Sequence, residues 1–296
     1  MKWMQTFKSF ENYLSLEKGS SSHTVKAYLS DLKSFSEYYT EKDPTRIKKT
    51  DIQAYLYDLA EYLDPKTRAR KLSSIRHFYD FLISDHLIES NPSFGIESPK
   101  FSKKLPDTLS FEEIELIIES FDLSQPLSYR NRAILETLYG CGLRVSELTN
   151  LKISDLYFTE EMIKVTGKGN KQRLIPISKY TIDCINKYLN LERENGKIQL
   201  PFRDHVFLNR RGNALSRVMV FNIVKKQCSL VGIKKNVSPH TFRHSFASHL
   251  LARGADLLSI QLLLGHENLT TTEIYLHLDK SKIKDILEEY HPRAKN

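Results

Sequence analysis

The chain has 296 residues, and its 44 Lys and Arg outnumber its 36 Asp and Glu, which gives a net charge of +8. The hydrophobic content of 40% is that of a globular protein, and the length favours two domains over one. No apolar run approaches the roughly 20 residues that cross a bilayer, and the start lacks a signal-peptide pattern, so a cytoplasmic protein without a membrane segment is expected. The basic charge favours a polyanionic partner.

Residues 1–90 are predicted to form a small helical bundle, because their apolar residues recur at spacings of three and four between turn residues. The fourth helix of this bundle, from about Lys66 to Ile83, carries basic residues on one face. A basic helix can enter a major groove and neutralise phosphates, so Arg70 and Lys71 are candidate DNA contacts. An ordinary solvated face is the alternative.

The composition changes at Asn91-Pro92. The stretch 91–109 contains three prolines, several serines and little periodicity, which is typical of an interdomain linker. Ser110 then begins a capping box with Glu113. A second domain is therefore predicted over residues 110–296.

Two positions in the first half of this second domain are candidates for a catalytic role. Arg144 follows the glycine turn in GCGLRVSEL at the start of a helix, where a guanidinium and backbone N–H groups can converge. A salt bridge with Glu147 is the alternative. Residues 162–177 predict a β-hairpin with Lys168 in its Gly-Lys-Gly-Asn turn. Such a lysine can donate a proton in a pocket, although an exposed turn lysine is the alternative.

The stretch from Ser238 to Tyr275 concentrates the other candidates in a run of short helices. His240 and Arg243 are three apart on a helix capped by Ser238, so they share a face. His266 follows a helix-ending glycine. The phenol of Tyr275 has an ordinary pKa of about 10 and becomes useful as a nucleophile where a positive pocket stabilises charge on an anionic target, such as a phosphodiester.

Other chemistries are less well supported. His240 and His244 have a zinc-ligand spacing, but the segment reads HTFRH rather than HExxH and sets Arg243 beside the supposed metal. The three cysteines are far apart and form no CxxC pair, which indicates neither a zinc knuckle nor a disulfide framework. There is no GxxxxGK[ST] loop, and no carboxylate pair suits a two-metal nuclease. We therefore expect neither a metal nor another cofactor.

In chain order, GLRVSEL, the hairpin lysine, HTFRHSFASHLL, LGH and IYLHL resemble the motifs of the tyrosine recombinase (phage-integrase) family. The resemblance covers nearly the whole chain, because TVKAYLSDLKSF and RKLSSIRHFYDFL resemble that family's SAM-like core-binding domain and YHPRA resembles its Xer subgroup. It implies a mainly α chain with a small β-hairpin. A helical core-binding domain at 1–90, a linker at 91–109 and a tyrosine-recombinase catalytic domain at 110–296 with a C-terminal exchange helix would form a C-shaped clamp around DNA.

The resemblance also implies six catalytic side chains: Arg144, Lys168, His240, Arg243, His266 and Tyr275. The two arginines and the second histidine would hold the scissile phosphate. The lysine would be the general acid, and the first histidine would act as general base or position the proton. The tyrosine would attack and form a 3′-phosphotyrosyl link. Strand exchange would pass through a Holliday junction without a metal or other cofactor.

The partners implied by the resemblance are double-stranded DNA with a dif-type site, three further protomers in a homo-tetramer or in a hetero-tetramer with a second Xer recombinase, and the FtsK translocase. The implied task is chromosome-dimer resolution, which serves chromosome partition at cell division. A first helix near Met1 favours the Xer plan over a phage or mobile-element integrase, which stays open together with a catalytically silent DNA-binding relative. The tail helix, with Ile283, Ile286 and Leu287 as its apolar stripe, is expected to dock either on its own domain or on a neighbour.

Overall fold

The computed structural model describes residues 3–100, 107–265 and 280–295, with the backbone alone described at 23, 168, 280–283 and 294–295. The chain divides into two compact units, Met1–Lys104 and Leu105–Asn296. The described residues are mainly helical with one small sheet, which confirms the predicted fold class. None of the helices in these ranges has the length and apolar character that a membrane span requires.

The described part of unit 1 is a bundle of α-helices. They are α1 (Trp3–Asn12), α2 (Ser22–Tyr38), α3 (Lys49–Asp58) and α4 (Pro65–Ser84). After α1 the chain continues through a π-helical turn at Tyr13–Glu17. Side-chain caps begin the two longest helices of this unit: Ser21 accepts the N–H of Thr24, and Asp64 caps α4 directly before Pro65, the first residue of the helix.

An aromatic core holds α1 against α4. The buried ring of Phe78 stacks on Trp3 with ring centroids 5.8 Å apart and meets Phe10 edge-on at 5.5 Å. Leu32 on α2 and Leu72 on α4 are fully buried. Burial of each such side chain contributes about 1.5–3 kcal/mol, which is why the apolar spacing predicts the helices and their packing together.

The chain that follows α4 stays on unit 1 as far as Ile96. Arg76 on α4 donates a hydrogen bond to the carbonyl of Ile96, whose side chain is buried. At the other end of the predicted 91–109 linker, Leu109 is buried in unit 2, and its N–H donates to the hydroxyl of Ser245 over 2.8 Å. Both ends of this stretch are therefore held by the unit that they adjoin.

Unit 2 combines helices with a small sheet. Its α-helices in the described residues are α5 (Phe111–Glu119), α6 (Ser128–Gly140), α7 (Val145–Thr149), α8 (Lys179–Tyr188), α9 (Arg217–Leu230), α10 (Pro239–Ala252), α11 (Leu257–Leu264) and α12 (Lys280–Tyr290). The predicted capping box at Ser110 and Glu113 is present, with bonds of 2.7 and 3.2 Å. Ser216 caps α9 and Asp256 caps α11.

The sheet has the order β1-β2-β3 and is antiparallel throughout. The strands are β1 (Leu156–Tyr157), β2 (Met162–Thr166) and β3 (Gln172–Pro176). β2 and β3 confirm the predicted hairpin, and Val165 pairs with Arg173 next to its turn. β1 was not predicted, since a strand of two residues is too short to show an alternating pattern.

The central helix of unit 2 is α6, which is buried along most of its length and contacts α8 and α10. The tail helix α12 contacts α10, α11 and β3 of the same chain, with Leu287 buried in the core. The sequence leaves open whether this helix docks on its own domain or on a neighbouring protomer. In the structure it docks on its own unit.

Candidate active site

Arg144 is fixed by the tight turn before it. Gly142 has φ of +58°, and a Cβ there would lie 2.6 Å from the ring of Phe246, so only glycine fits. Arg144 is the N-cap residue of α7, and its backbone N–H donates to Oε2 of Glu147 over 2.8 Å. Its Nη1 donates to the other carboxylate oxygen over 2.9 Å, so the salt bridge expected as an alternative is present.

Glu147 lies at the centre of an arginine cluster, which we define as Arg144, Arg173 and Arg243. Its side chain is 1% exposed. Arg173 on β3 binds it bidentately, with Nη1 to Oε1 at 2.7 Å and Nη2 to Oε2 at 3.1 Å. Arg243 lies 3.8 Å from Oε2. Burial pushes the pKa of Glu147 upward, but the bonds from Arg173 and Arg144 outweigh that effect and hold the pKa below its usual range.

The same three arginines donate hydrogen bonds to three successive carbonyls at the end of α11. Arg173 donates to the carbonyl of Leu263 over 3.3 Å, Arg243 to that of Leu264 over 2.6 Å, and Arg144 to that of Gly265 over 3.0 Å. Carbonyls at a helix C-terminus lack partners within the helix and carry the negative end of its dipole. The arginine cluster therefore fixes the point at which the chain leaves α11, directly before His266.

Positive charge is in excess in this cluster, because three guanidinium groups face one carboxylate. The side chain of Arg243 is 9% exposed, and its Nη1 also donates to the carbonyl of Gly142 over 2.7 Å. Burial, followed by repulsion from Arg144, lowers the pKa of Arg243 to about 9. It remains charged at neutral pH, so an anion at the half-buried side chain of Arg144, which is 32% exposed, would relieve the repulsion.

The other predicted catalytic residues differ in how far the structure describes them. His240 is exposed at the start of α10, one turn before Arg243. The backbone of Lys168 lies in the short helical turn Lys168–Asn170 between β2 and β3. His266 and Tyr275 lie outside the described residues. The structure thus brings Arg144 and Arg243 together.

Arg70 and Lys71, the DNA candidates on α4, both pair with Asp31 on α2. Arg70 donates a hydrogen bond to this buried carboxylate, and the Nζ of Lys71 lies 3.5 Å from it. Ser74 donates a further bond over 2.9 Å. The side chain of Arg70 is 48% exposed and that of Lys71 only 11%, so Arg70 is the more available for a phosphate.

The sequence alone gives Arg173 no site role and indicates Glu147 only as a salt-bridge partner of Arg144. Glu147 stands three residues after the N-cap, the spacing of a capping box, and this was a usable signal. Arg173 carried no such signal, because an arginine on a short strand normally faces solvent. Its contact with Glu147 spans 26 residues and appears only once the hairpin is folded against α7.

Two family models match the chain. The phage integrase family matches residues 107–282. The N-terminal SAM-like domain of phage integrases matches residues 7–86, which confirms the predicted SAM-like domain. Together they span most of the chain.

Curated relatives and solved structures agree with these matches. Tyrosine recombinase XerD of Listeria innocua is 41% identical over 292 residues, covering 96% of this chain and 98% of the relative. Tyrosine recombinase XerD of Chlorobaculum tepidum is 39% identical and covers 99% and 98%. The crystal structure of XerA recombinase is 29% identical with a TM-score of 0.51, covering 98% and 99%. A lambda integrase dimer bound to a COC′ core site is 19% identical, covers 93% and 77%, and shares the fold with a TM-score of 0.73.

Proposed function

The chain belongs to the phage integrase family of tyrosine recombinases and is a site-specific DNA recombinase, and we propose that it resolves chromosome dimers at a dif-type site. Its nearly end-to-end similarity to relatives named XerD supports this assignment. The observation that carries the chemistry is the arginine cluster around Glu147. Its excess positive charge is suited to one phosphodiester.

In the proposed first step, Arg144 and Arg243 bind the non-bridging oxygens of the scissile phosphate. The oxygen of Tyr275 forms a bond to phosphorus while the bond from phosphorus to the 5′ oxygen breaks. His240 takes or positions the phenol proton, and Lys168 gives a proton to the 5′ oxygen. The products are a 3′-phosphotyrosyl link and a free 5′-hydroxyl, and general acid–base help of this kind contributes about 10²–10⁴-fold.

The step is reversible, because the phosphotyrosyl link keeps the energy of the broken bond. The 5′-hydroxyl of each cleaved strand attacks phosphorus in the other duplex and releases the tyrosine there, which takes back a proton. This pair of exchanges forms a Holliday junction, and a second pair resolves it. His266, which directly follows the α11 carbonyls held by the arginine cluster, adds a hydrogen bond to the phosphate. No metal or other cofactor takes part in this scheme.

The assembly we propose is a tetramer of protomers in a cytoplasmic synapse of two DNA sites. Each two-domain chain would clamp its half-site, with Arg70 among the phosphate contacts of the first domain. Lys71 would support Arg70 through their shared partner Asp31. The second pair of protomers can be copies of this chain or a second Xer recombinase, and an FtsK-type translocase is the proposed activator.

A plasmid excision assay tests the substrate assignment. A plasmid with two directly repeated dif-type sites around a marker is incubated with the chain alone, with the second Xer recombinase of the same cell, and with that recombinase and the FtsK-type translocase together. We expect a circle carrying the marker in at least one reaction and none with Tyr275→Phe. Recombination at a mobile-element end but not at dif-type sites would instead identify a mobile-element integrase.

A further inference from the structure

Arg173 belongs to the arginine cluster but has no place in the proposed phosphate clamp. Its side chain is 18% exposed. Both of its terminal nitrogens bind Glu147, and its Nε donates to the carbonyl of Leu263 over 3.3 Å. A bidentate bond to a carboxylate fixes the orientation of both groups as well as their distance. These contacts point to a role in orientation.

The backbone of Arg173 is part of the hairpin that carries the proposed general acid. Arg173 on β3 pairs with Val165 on β2. Just beyond this pair, the N–H of Gly167 donates to the carbonyl of Lys171 over 2.7 Å and closes the turn that contains Lys168. A displacement of the Arg173 side chain therefore shifts the end of the hairpin at which Lys168 lies.

The close approach of Arg173 to the end of α11 depends on Gly265. A Cβ on Gly265 would lie 3.0 Å from the Cδ, Nε and Cζ atoms of Arg173. Gly265 has φ of +64°, a conformation that ends helices and favours glycine. The guanidinium of Arg173 thus packs directly on the backbone of Gly265, and it contacts both α11 and Glu147.

We infer that Arg173 is a positioning residue for recombination: it ties β3 to Glu147 and Leu263 and thereby sets Lys168 relative to the phosphate clamp. The inference rests on the proposed role of Lys168 as general acid. Lysine cannot replace the planar fork of Arg173, because an ammonium group makes no bidentate bond of this geometry. A misplacement of about 1 Å in a reacting group can cost about 10²-fold in rate.

A substrate with sulfur in place of the bridging 5′ oxygen separates this role from a general contribution to folding. In the ordinary substrate, the bond from phosphorus to the 5′ oxygen breaks and that oxygen needs a proton. In the sulfur substrate, the bond from phosphorus to sulfur breaks and the thiolate leaves unprotonated, since a thiol has a pKa of only about 8.5. Cleavage then needs the phosphate clamp and Tyr275 but not Lys168.

The experiment measures single-turnover cleavage of both substrates by the full chain and by its variants. For Arg173→Gln we expect cleavage of the ordinary substrate to fall about 10²-fold and cleavage of the sulfur substrate to fall by no more than about tenfold, because Glu147 keeps its bonds to Arg144 when Arg173 is lost. Arg173→Lys should lose less, about tenfold, on the ordinary substrate alone. Lys164→Met is the matched control, because Lys164 lies on the paired strand and binds Asp155 over 2.9 Å, outside the arginine cluster. Its cleavage rates on both substrates should equal those of the unmodified chain.

Other outcomes overturn the inference. If Arg173→Gln loses both substrates equally, or neither, or if Arg173→Lys is fully active, Arg173 does not act by setting the hairpin. Lys168→Ala, measured in parallel, distinguishes this failure from that of the proposed function. Rescue of Lys168→Ala by sulfur without rescue of Arg173→Gln would refute only the inference, whereas no rescue of Lys168→Ala would remove Lys168 as general acid and the inference with it.

Discussion

The Nε of Arg293 lies 3.5 Å from the Oε2 of Glu136, and both side chains are buried. Arg293 also stacks over the ring of Tyr180 on α8, with its Cζ 4.8 Å from the ring centroid. Thr181 donates a hydrogen bond to the other oxygen of Glu136. The segment after α12 is thus held on α6 and α8, and the tail helix is fixed at this end.

Replacing Arg293 by methionine should destabilise the protein by about 3–5 kcal/mol, because the buried Glu136 would lose the largest of the charges that compensate its own. Burial already raises the pKa of Glu136 despite Arg293, which means that burial disfavours the ionised form of this side chain. Thermal unfolding followed by circular dichroism measures the loss. Adding Glu136→Gln to Arg293→Met should recover part of it. A double variant no more stable than the single one would show that the charge of Glu136 is not the cause.

His291, on the same segment, should make this anchor sensitive to acid. Burial, followed by repulsion from His249, Arg293 and Arg253, lowers the pKa of His291 to about 3. A base whose pKa is lowered by folding contributes stability that is present above its unfolded pKa of about 6.5 and is lost as the pH falls toward the folded value. By pH 5 the loss should be about 2 kcal/mol.

Hydrogen–deuterium exchange of α12 and residues 291–293 at pH 7 and pH 5, corrected for intrinsic rates, measures this acid sensitivity. His291→Asn is the control variant, because an amide oxygen can accept the bond that Nδ1 takes from the N–H of Arg293. It should remove most of the dependence on pH. An unchanged pH dependence in His291→Asn would assign the effect to another group.

Gly142→Ala should disturb both folding and cleavage. The new Cβ would meet the ring of Phe246 at 2.6 Å, and the positive φ adds a strain of about 1–3 kcal/mol. Gly232 is a matched control, with φ of +74° and nothing within 4 Å of a Cβ in the described residues. We expect Gly232→Ala to show the strain alone and Gly142→Ala a larger fall in Tm with slower cleavage. Equal effects on Tm would argue against the close approach of Phe246.

The two basic residues of α4 should separate in a salt titration of DNA binding. DNA binding weakens as salt rises, so log K falls against log salt, and loss of one phosphate contact makes this fall shallower by about 1 in slope. We expect this for Arg70→Gln, whose side chain is 48% exposed. Lys71→Gln should leave the slope nearly unchanged and reduce thermal stability, since Lys71 is largely buried beside Asp31. A shallower slope for Lys71→Gln, with no change for Arg70→Gln, would make Lys71 the phosphate contact instead.

Helix caps, helix ends and apolar spacing, which depend on neighbouring residues, predicted the fold well. Contacts between residues far apart in the chain could not be predicted. The cap at Ser110 and the helix end at Gly265 depend on neighbouring residues, so the sequence shows them. The burial of Arg293 and the position of Arg173 depend on groups far along the chain. Because charged residues are ordinarily exposed, no pattern marked these two as interior. For the same reason, Arg144 was predicted beside an anion while its bond to the end of α11 was not.

The most direct test of covalent catalysis is a trapping assay on a nicked dif-type duplex in EDTA. Once the short nicked strand is lost, the cleaved end cannot be rejoined, so a phosphotyrosyl adduct accumulates. We expect a denaturation-resistant protein–DNA adduct with the unmodified chain and none with Tyr275→Phe, although both should bind the duplex. Cleavage by Tyr275→Phe, or cleavage that requires added Mg²⁺, would contradict the account and indicate a different nucleophile.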